Sequence, residues 1–296
     1  MDNTILYTIV AGLAGLVSGS FVGASVWRLR ARQLSTDKKN GEKVLKKDAR
    51  QVEKLPIKSV KADRSVCLHC GHQLQWYDLL PIVSWVSLGG KCRYCKAKIG
   101  WTEPALEIGM AIFFVASYVF WPYPLDSSFA VLHFAIWLVA GVGLATLFVY
   151  DMRWYLLPNK VVFPLIGLGL LNTFVVLADR QFSLAAIADV VYSCAILSGL
   201  YYFIYVISKH QWVGFGDVKL GLVLALLLVD FRLSVLALFL ANLVGTIVYL
   251  PLMVRGRIKG QTHIPFGPLL ITGWFISGLF GANIIAWYMT ITLGTI

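Results

Sequence analysis

The sequence predicts an all-α polytopic membrane protein of about eight transmembrane helices, interrupted once by a small polar, cysteine-bearing domain. Three observations predict it. The chain is 58% hydrophobic and only 14% charged, against about 45–50% and about 25% for soluble domains. Apolar windows of about 20 residues, enough to span a hydrocarbon core of about 30 Å, recur along it. The polar residues are gathered in one sizeable block, 28–103.

In chain order, the expected spans are 4–27, 104–121, 128–149, 161–178, 184–207, 218–230, 233–254 and 266–292, of which the sixth is short. The first begins almost at Met1 with no basic segment before it, so it is expected to be retained rather than cleaved as a signal peptide. Gly15, Gly19 and Gly23 recur every four residues along it, a small-residue face suited to close helix packing. This gives three regions: 1–27, the first transmembrane helix; 28–103, a basic linker and the cysteine-bearing domain; and 104–296, a helical membrane core. Residues 28–66 are Lys-rich without apolar period, and 33–62 is expected to be a flexible charged linker.

Charge sets the orientation. Segment 28–103 holds 17 of the 26 Lys and Arg, and the loops lying on its side of eight alternating helices raise that to 24. The opposite loops carry only Arg180 and Arg232. The basic side is therefore expected to be cytoplasmic, with both termini outside. The net charge of +11 is read as topology and contact with anionic membrane lipid, not as nucleic-acid binding.

Two carboxylates then fall at one membrane level. "YDMRWYLLPNK" carries Asp151 at the end of the third span, and "VGFGDVKL" carries Asp217 at the start of the sixth. Acidic residues within membrane helices cost roughly 2.5–3.5 kcal/mol on insertion scales and are usually functional. Two close carboxylates share a proton, one acting as base toward water while the other donates to a carbonyl. Gly214 and Gly216 are expected to permit positive φ and close approach of a peptide beside Asp217. Taken singly, each aspartate reads equally well as a solvated interfacial residue. Glu103 and Glu107 begin the second span, where negative charge suits a helix N-terminus. Asp126, Asp179, Asp189 and Asp230 fall on or near the outer side.

Four of the five cysteines form two CxxC pairs, Cys67 with Cys70 and Cys92 with Cys95. Two such knuckles at this separation predict a closed four-thiolate zinc site, structural rather than catalytic. His69 and His72 are bystanders, and Cys194 is a packing thiol within the fifth span. The stretch between the knuckles is apolar, and Trp76, Tyr77, Leu79, Leu80, Ile82, Val83 and Trp85 suit a membrane interface. Asp78 reads either as a further site candidate or as a turn residue before "LLP".

An ordered set of short motifs now carries a resemblance. "GSF" and Arg28, "RSVCLHC", "LLPIVSW", "GGKCRYC", "EPALE", Asp151 with "LPN", "GFGDVKLG" and "IPFGP" at 264–268 follow one another over most of the chain. The chain resembles the type IV prepilin peptidases, GxGD-type aspartic proteases of the bacterial inner membrane. The resemblance implies cleavage of a basic leader from prepilin or pseudopilin precursors at the cytoplasmic face. Asp151 and Asp217 match the catalytic pair, with Gly214, Gly216, Lys219 and Asn159 as supporting residues. The four cysteines match the zinc-binding cytoplasmic domain. Many members also methylate the new N-terminus using S-adenosylmethionine. Four positions depart from the family's pattern: Gly23 and Leu79 stand where asparagine is usual, Leu68 where proline is common, and Asn159 where aspartate is frequent. The last removes a charge expected near Asp151. Methyl transfer stays open, its pocket expected around Cys67–Cys95. Two other readings also stay open: another GxGD intramembrane protease, and a non-enzymatic scaffold bearing a zinc module. The first is expected to carry Pro-Ala-Leu where this chain has "IPFGP".

Overall fold

In the computed structural model, the described residues are 3–41, 49, 52, 55, 64–256 and 264–293. The chain forms two compact units, Met1–Val119 and Phe120–Ile296. Among the described residues there is no β-strand, and seven helices are long and apolar enough to cross a membrane. Their outward faces carry Leu13, Phe21, Phe163, Phe174, Phe239 and Ile247, all exposed, as lipid-facing side chains should be. The protein is a multi-pass membrane protein.

In the first unit, α1 (Asn3–Lys39) packs against α3 (Thr102–Val119), with the short α2 (Val83–Ser87) between them in sequence. Two glycines let the backbones of α1 and α3 touch. A Cβ on Gly15 would lie 2.5 Å from the Met110 carbonyl oxygen, and one on Gly19 would lie 2.5 Å from the Cα of Glu107. Gly23 is not part of this contact, since its Cβ would meet Leu106 at an ordinary 3.8 Å.

The expected linker begins as helix. α1 continues unbroken through Arg28–Lys39, and Ala31 and Leu34 form a small core with Val52, flanked by Trp27 and Leu55. Trp27, Ala31 and Leu34 are spaced i, i+4, i+7, a helical stripe legible in the sequence but masked by the surrounding charge. Residues 42–48, 50, 51, 53, 54 and 56–63 of the linker lie outside the described residues.

The second unit holds α4 (Ser128–Trp154), α5 (Asn159–Asp179), α6 (Leu184–Ile207), α7 (Phe215–Leu228), α8 (Phe231–Val254) and α9 (Phe266–Leu293). Three of these helices start at side-chain caps that satisfy otherwise orphaned N–H groups: Ser127 for α4, Ser183 for α6 and Asp230 for α8. Trp137 of α4 and Trp274 of α9 stack at 3.9 Å between ring centroids. α6 widens into a π-helical turn at Ala195–Gly199, which nothing in its apolar run foretells. That turn presses on α7: a Cβ on Gly221 would lie 2.0 Å from the Leu197 carbonyl oxygen, and Ser198 Oγ donates to the Val218 carbonyl at 3.0 Å.

The sixth expected span, 218–230, is corrected to the 14-residue α7. At 1.5 Å per residue it is about 21 Å long, short of the hydrocarbon thickness. It also has no lipid face. Val218, Leu220, Gly221 and every residue from Val223 to Leu228 are buried, with α5, α6, α8 and α9 around it. A helix apolar all round belongs in the middle of a bundle. Its N-terminal end lies near Asp151, while Asp230, just past its C-terminal end, lies within electrostatic reach of Tyr123 at the opposite end of the unit.

The glycine face of α1 gives a contrast. Gly19→Ala should destabilise the protein by roughly 1–3 kcal/mol, because the new methyl meets backbone that cannot rotate away. Gly23→Ala should change stability by less than about 1 kcal/mol, favourably if at all, since alanine is the better helix former. Thermal unfolding of the two variants in one detergent distinguishes them; equal losses would show that the close approach is not what the glycines serve.

Candidate active site and metal centre

The cysteine module is built twice over. In each knuckle, the N–H of the first cysteine bonds the carbonyl five residues on, Cys67 to His72 at 2.9 Å and Cys92 to Ala97 at 2.8 Å. In each, the residue after the second cysteine turns left-handed, Gly71 at φ 72° and Lys96 at φ 58°. Glycine takes that conformation without strain, whereas lysine pays for its Cβ. Isolated bridges Val66–Gln73 and Lys91–Lys98 close the two loops.

The four sulfurs of Cys67, Cys70, Cys92 and Cys95 lie within 4.8 Å of one another, with Cys67 and Cys95 at 3.9 Å. A tetrahedron of thiolates about 2.3 Å from a central zinc has edges of about 3.8 Å, so the cluster fits a metal ion of that size. Its electrostatics also ask for one. Burial pushes the Cys67 thiol up to about 12. Burial opposes ionisation of Cys92 too, but the backbone N–H groups of Cys95 and Tyr94 outweigh it and bring that thiol down to about 7. Four sulfurs this close ionise together only around a dication.

Asp78 ties the module together. It sits in a 3-10 turn, Trp76–Leu79. Oδ1 accepts from Arg93 Nε at 2.7 Å, while Oδ2 accepts from Tyr94 Oη at 3.0 Å and from the Gln75 N–H at 3.2 Å. Burial pushes its carboxyl up, but these three donors prevail and hold it below the usual carboxylate range. The Tyr94 ring in turn lies against His72 of the first knuckle, 3.6 Å between centroids. Trp76, Val83, Val86 and Trp101 stay exposed around it. Glu107, expected to serve a helix N-terminus by charge, instead accepts the N–H of Ile82 at 2.7 Å and holds that residue at φ 59°. Glu103 accepts from Trp27 Nε1 at 3.4 Å.

In the second unit the two aspartates lie within electrostatic reach of each other. Asp151 lies in the last turn of α4 and is 6% exposed. Its Oδ2 accepts the N–H of Gly267 at 3.0 Å, in the first turn of α9. A Cβ at 267 would stand 2.8 Å from that same oxygen, so glycine is what lets the carboxylate reach the helix end. Free N–H groups and the positive end of the helix dipole make such a position favourable for a carboxylate. Asp217, in the first turn of α7, accepts the N–H of Gly214 at 3.2 Å and lies within electrostatic reach of Asp151.

The glycines beside Asp217 act differently from expectation. Gly214 has φ −77° as the N-cap of α7, and Gly216 lies within the helix, so neither adopts positive φ. Close approach is what Gly216 provides: its Cβ would come 3.2 Å from Leu157 Cδ1, in the turn after α4. Lys219 bonds Asn159 Oδ1, joining α7 to the start of α5, with its ammonium 5.4 Å from the Phe215 ring centre and 5.7 Å from that of Phe163. The charge absent at Asn159, expected to bear on Asp151, is thus absent beside Lys219 instead. Cys194, half-buried, adjoins the π-helical turn.

Several residues of this neighbourhood were not legible in the sequence. Tyr201, 4% exposed on α6, is within electrostatic reach of Asp217, and its ring meets Phe266 edge-on at 5.6 Å. Tyr249 of α8 is within reach of Asp151. Gly267 was legible only as part of "IPFGP".

Comparison with known proteins decides the family. Residues 13–121 match the bacterial peptidase A24 N-terminal domain, and residues 138–250 match the type IV leader peptidase family. A prepilin leader peptidase/N-methyltransferase of Pseudomonas aeruginosa is 30% identical over 97% of this chain and 95% of its own length. The chain belongs to the type IV leader peptidase family. Another relative with the same description, from Stutzerimonas stutzeri, is 28% identical over 97% of this chain and 96% of its own. One from Bacillus subtilis is 27% identical over 80% of this chain and 89% of its own. No solved structure matches. The first matched region of this leader peptidase family member contains the four cysteines, and the second contains Asp151 and Asp217.

Proposed function

We propose that this protein is a membrane-embedded aspartic endopeptidase that removes the basic leader from type IV prepilin or pseudopilin precursors. The single observation that carries the reading is the meeting of Asp151 and Asp217. Two carboxylates from distant points of the chain share one electrostatic neighbourhood, each held by one backbone N–H. The pair holds one proton between them. The ionised member takes a proton from water as it attacks the scissile carbonyl, and the protonated member donates to the carbonyl oxygen. Breakdown of the tetrahedral intermediate returns a proton to the leaving amine. Gly216 lets the turn after α4 pack closely beside the acid, and Gly214 caps the helix that carries it. The Lys219–Asn159 bond holds the starts of α5 and α7 together.

The excess of Lys and Arg on one side supports an inner-membrane orientation with the aspartates facing the cytoplasm, the side on which a basic leader stays. The metal of the cysteine module is zinc in this reading, held by Cys67, Cys70, Cys92 and Cys95. It stands in for a core that so small a module lacks.

Asp151→Asn and Asp217→Asn should each lower leader cleavage by roughly 10²–10⁴-fold with normal expression and insertion. Cleavage of a prepilin by purified variants, with sequencing of the product's N-terminus, is the check. Near-normal processing by either variant removes that aspartate from the mechanism.

Purified protein should hold about one zinc per chain, and Cys67→Ser or Cys92→Ser should lose metal and thermal stability before cleavage. Metal analysis beside the cleavage assay decides it. Full zinc retention by the double variant would exclude the site.

The relatives' description also includes N-methyltransferase. We extend that activity to this chain, with S-adenosylmethionine as donor. Mass spectrometry of processed pilin should show the gain of one methyl group only when the donor is present. Complete cleavage with no gain under any donor concentration would leave a peptidase alone.

A further inference from the structure

The apolar run of α5 contains one amide. Asn172, 1% exposed, donates from Nδ2 to the carbonyl oxygens of both Leu226 and Leu227, each at 3.1 Å. Its neighbour Thr173, 8% exposed, donates to the Leu226 carbonyl at 3.1 Å. Those acceptors lie in the last turn of α7, where carbonyls have no partner further along the helix. Two residues later the chain is forced out of helix: Val229 adopts φ 53°, a conformation that penalises a β-branched side chain. Asp230 then caps α8.

α7 carries Asp217 in its first turn and these carbonyls in its last. The helix is rigid, so whatever fixes its end along the bundle also fixes the aspartate. α5 approaches it closely there, since a Cβ on Gly169 would lie 2.8 Å from Leu226 Cβ. Without the amide, Thr173 still serves Leu226, but the buried Leu227 carbonyl loses its donor, and it is satisfied most simply by letting the helix run on through Val229. That relieves the left-handed residue, displaces the Asp230 cap and moves α7 along its axis.

We propose that Asn172 is a positioning residue for Asp217: by capping the far end of α7 it stops that helix short and sets the depth at which the carboxylate meets Asp151. The inference rests on the proposed role of the two aspartates. It acts through α7, and Asn172 touches no reacting group.

The test uses the full chain with zinc bound and a prepilin substrate. Asn172→Leu should lower kcat by about 10–100-fold, the scale on which a displacement of about 1 Å acts, while KM moves less than about twofold. The pH profile of kcat should shift with it, because the distance between the carboxylates changes. A second substitution supplies the stop another way. Val229→Gly lets the left-handed residue form without strain, so Asn172→Leu/Val229→Gly should recover at least about tenfold of the lost kcat. Wild-type kcat and pH profile in Asn172→Leu would overturn the proposal. So would a loss in Asn172→Leu that appears only as a lower melting temperature, or one that Val229→Gly leaves unrepaired. The failure of the aspartate reading itself is separate: it shows as cleavage by Asp217→Asn, whatever Asn172→Leu does.

Discussion

In hydrocarbon, every backbone N–H and carbonyl must find its partner within the protein. That constraint organises the second unit more than any single contact. A full-length transmembrane helix meets it by leaving its unpaired ends in water. α7 does not reach that far, and both its ends require side chains or neighbouring backbone. At one end the Asp217 carboxylate takes the Gly214 N–H; at the other, Asn172 and Thr173 supply donors to Leu226 and Leu227. Between them, Ser198 reaches Val218 from the π-helical turn of α6. The interior of the unit is therefore polar at a few points, and those points surround the helix that carries an acid.

The first unit solves a different problem. Its module between α1 and α3 has few buried apolar residues, with Cys92 the one buried cysteine. Order there comes from short-range chemistry: two knuckles with matching hydrogen bonds, a cluster of four sulfurs, and Asp78 joined to Arg93 and Tyr94. Arg93 is solvent-exposed, so its ion pair is screened by water, and the hydrogen bonds from Tyr94 and the Gln75 backbone matter as much. Glu107 extends the same logic into α3 by holding the Ile82 N–H.

What could be read from the residues follows from which signals are local. Apolar length announces a spanning helix, and seven such helices are present among the described residues. Cysteine spacing announces a cluster, because two CxxC knuckles have few other uses. The shortness of α7 was half-legible: "DVKLGLVLALLLVDF" marks an apolar segment, but its end is set by Asn172, more than fifty residues earlier. An asparagine in "LGLLNTFVVL" looks like noise until its partner is known. The π-helical turn has no sequence mark at all, since Ala195–Gly199 read as ordinary apolar helix. Gly214 and Gly216 suggest both positive φ and close approach, and only the second is used, at Gly216. The structure uses Gly216 for lack of bulk against Leu157 and Gly214 as a cap.

The same local rules bear on how the two carboxylates are arranged for the chemistry proposed for them. Each aspartate spends only Oδ2 on its backbone donor, Gly267 for Asp151 and Gly214 for Asp217. Among the described residues no protein donor occupies Oδ1 of either. One bond per carboxylate fixes its orientation while keeping one oxygen of each for a proton, a water or a substrate carbonyl. Both donors also sit at helix N-termini, so among the described residues each carboxylate faces the positive end of a helix rather than a cationic side chain. A lysine or arginine in direct contact would hold both acids ionised and empty the pair of its proton. The partial charge of a helix end is a gentler counterweight. In the proposed hydrolysis, which begins with one negative charge shared by the two acids, it would steady that charge.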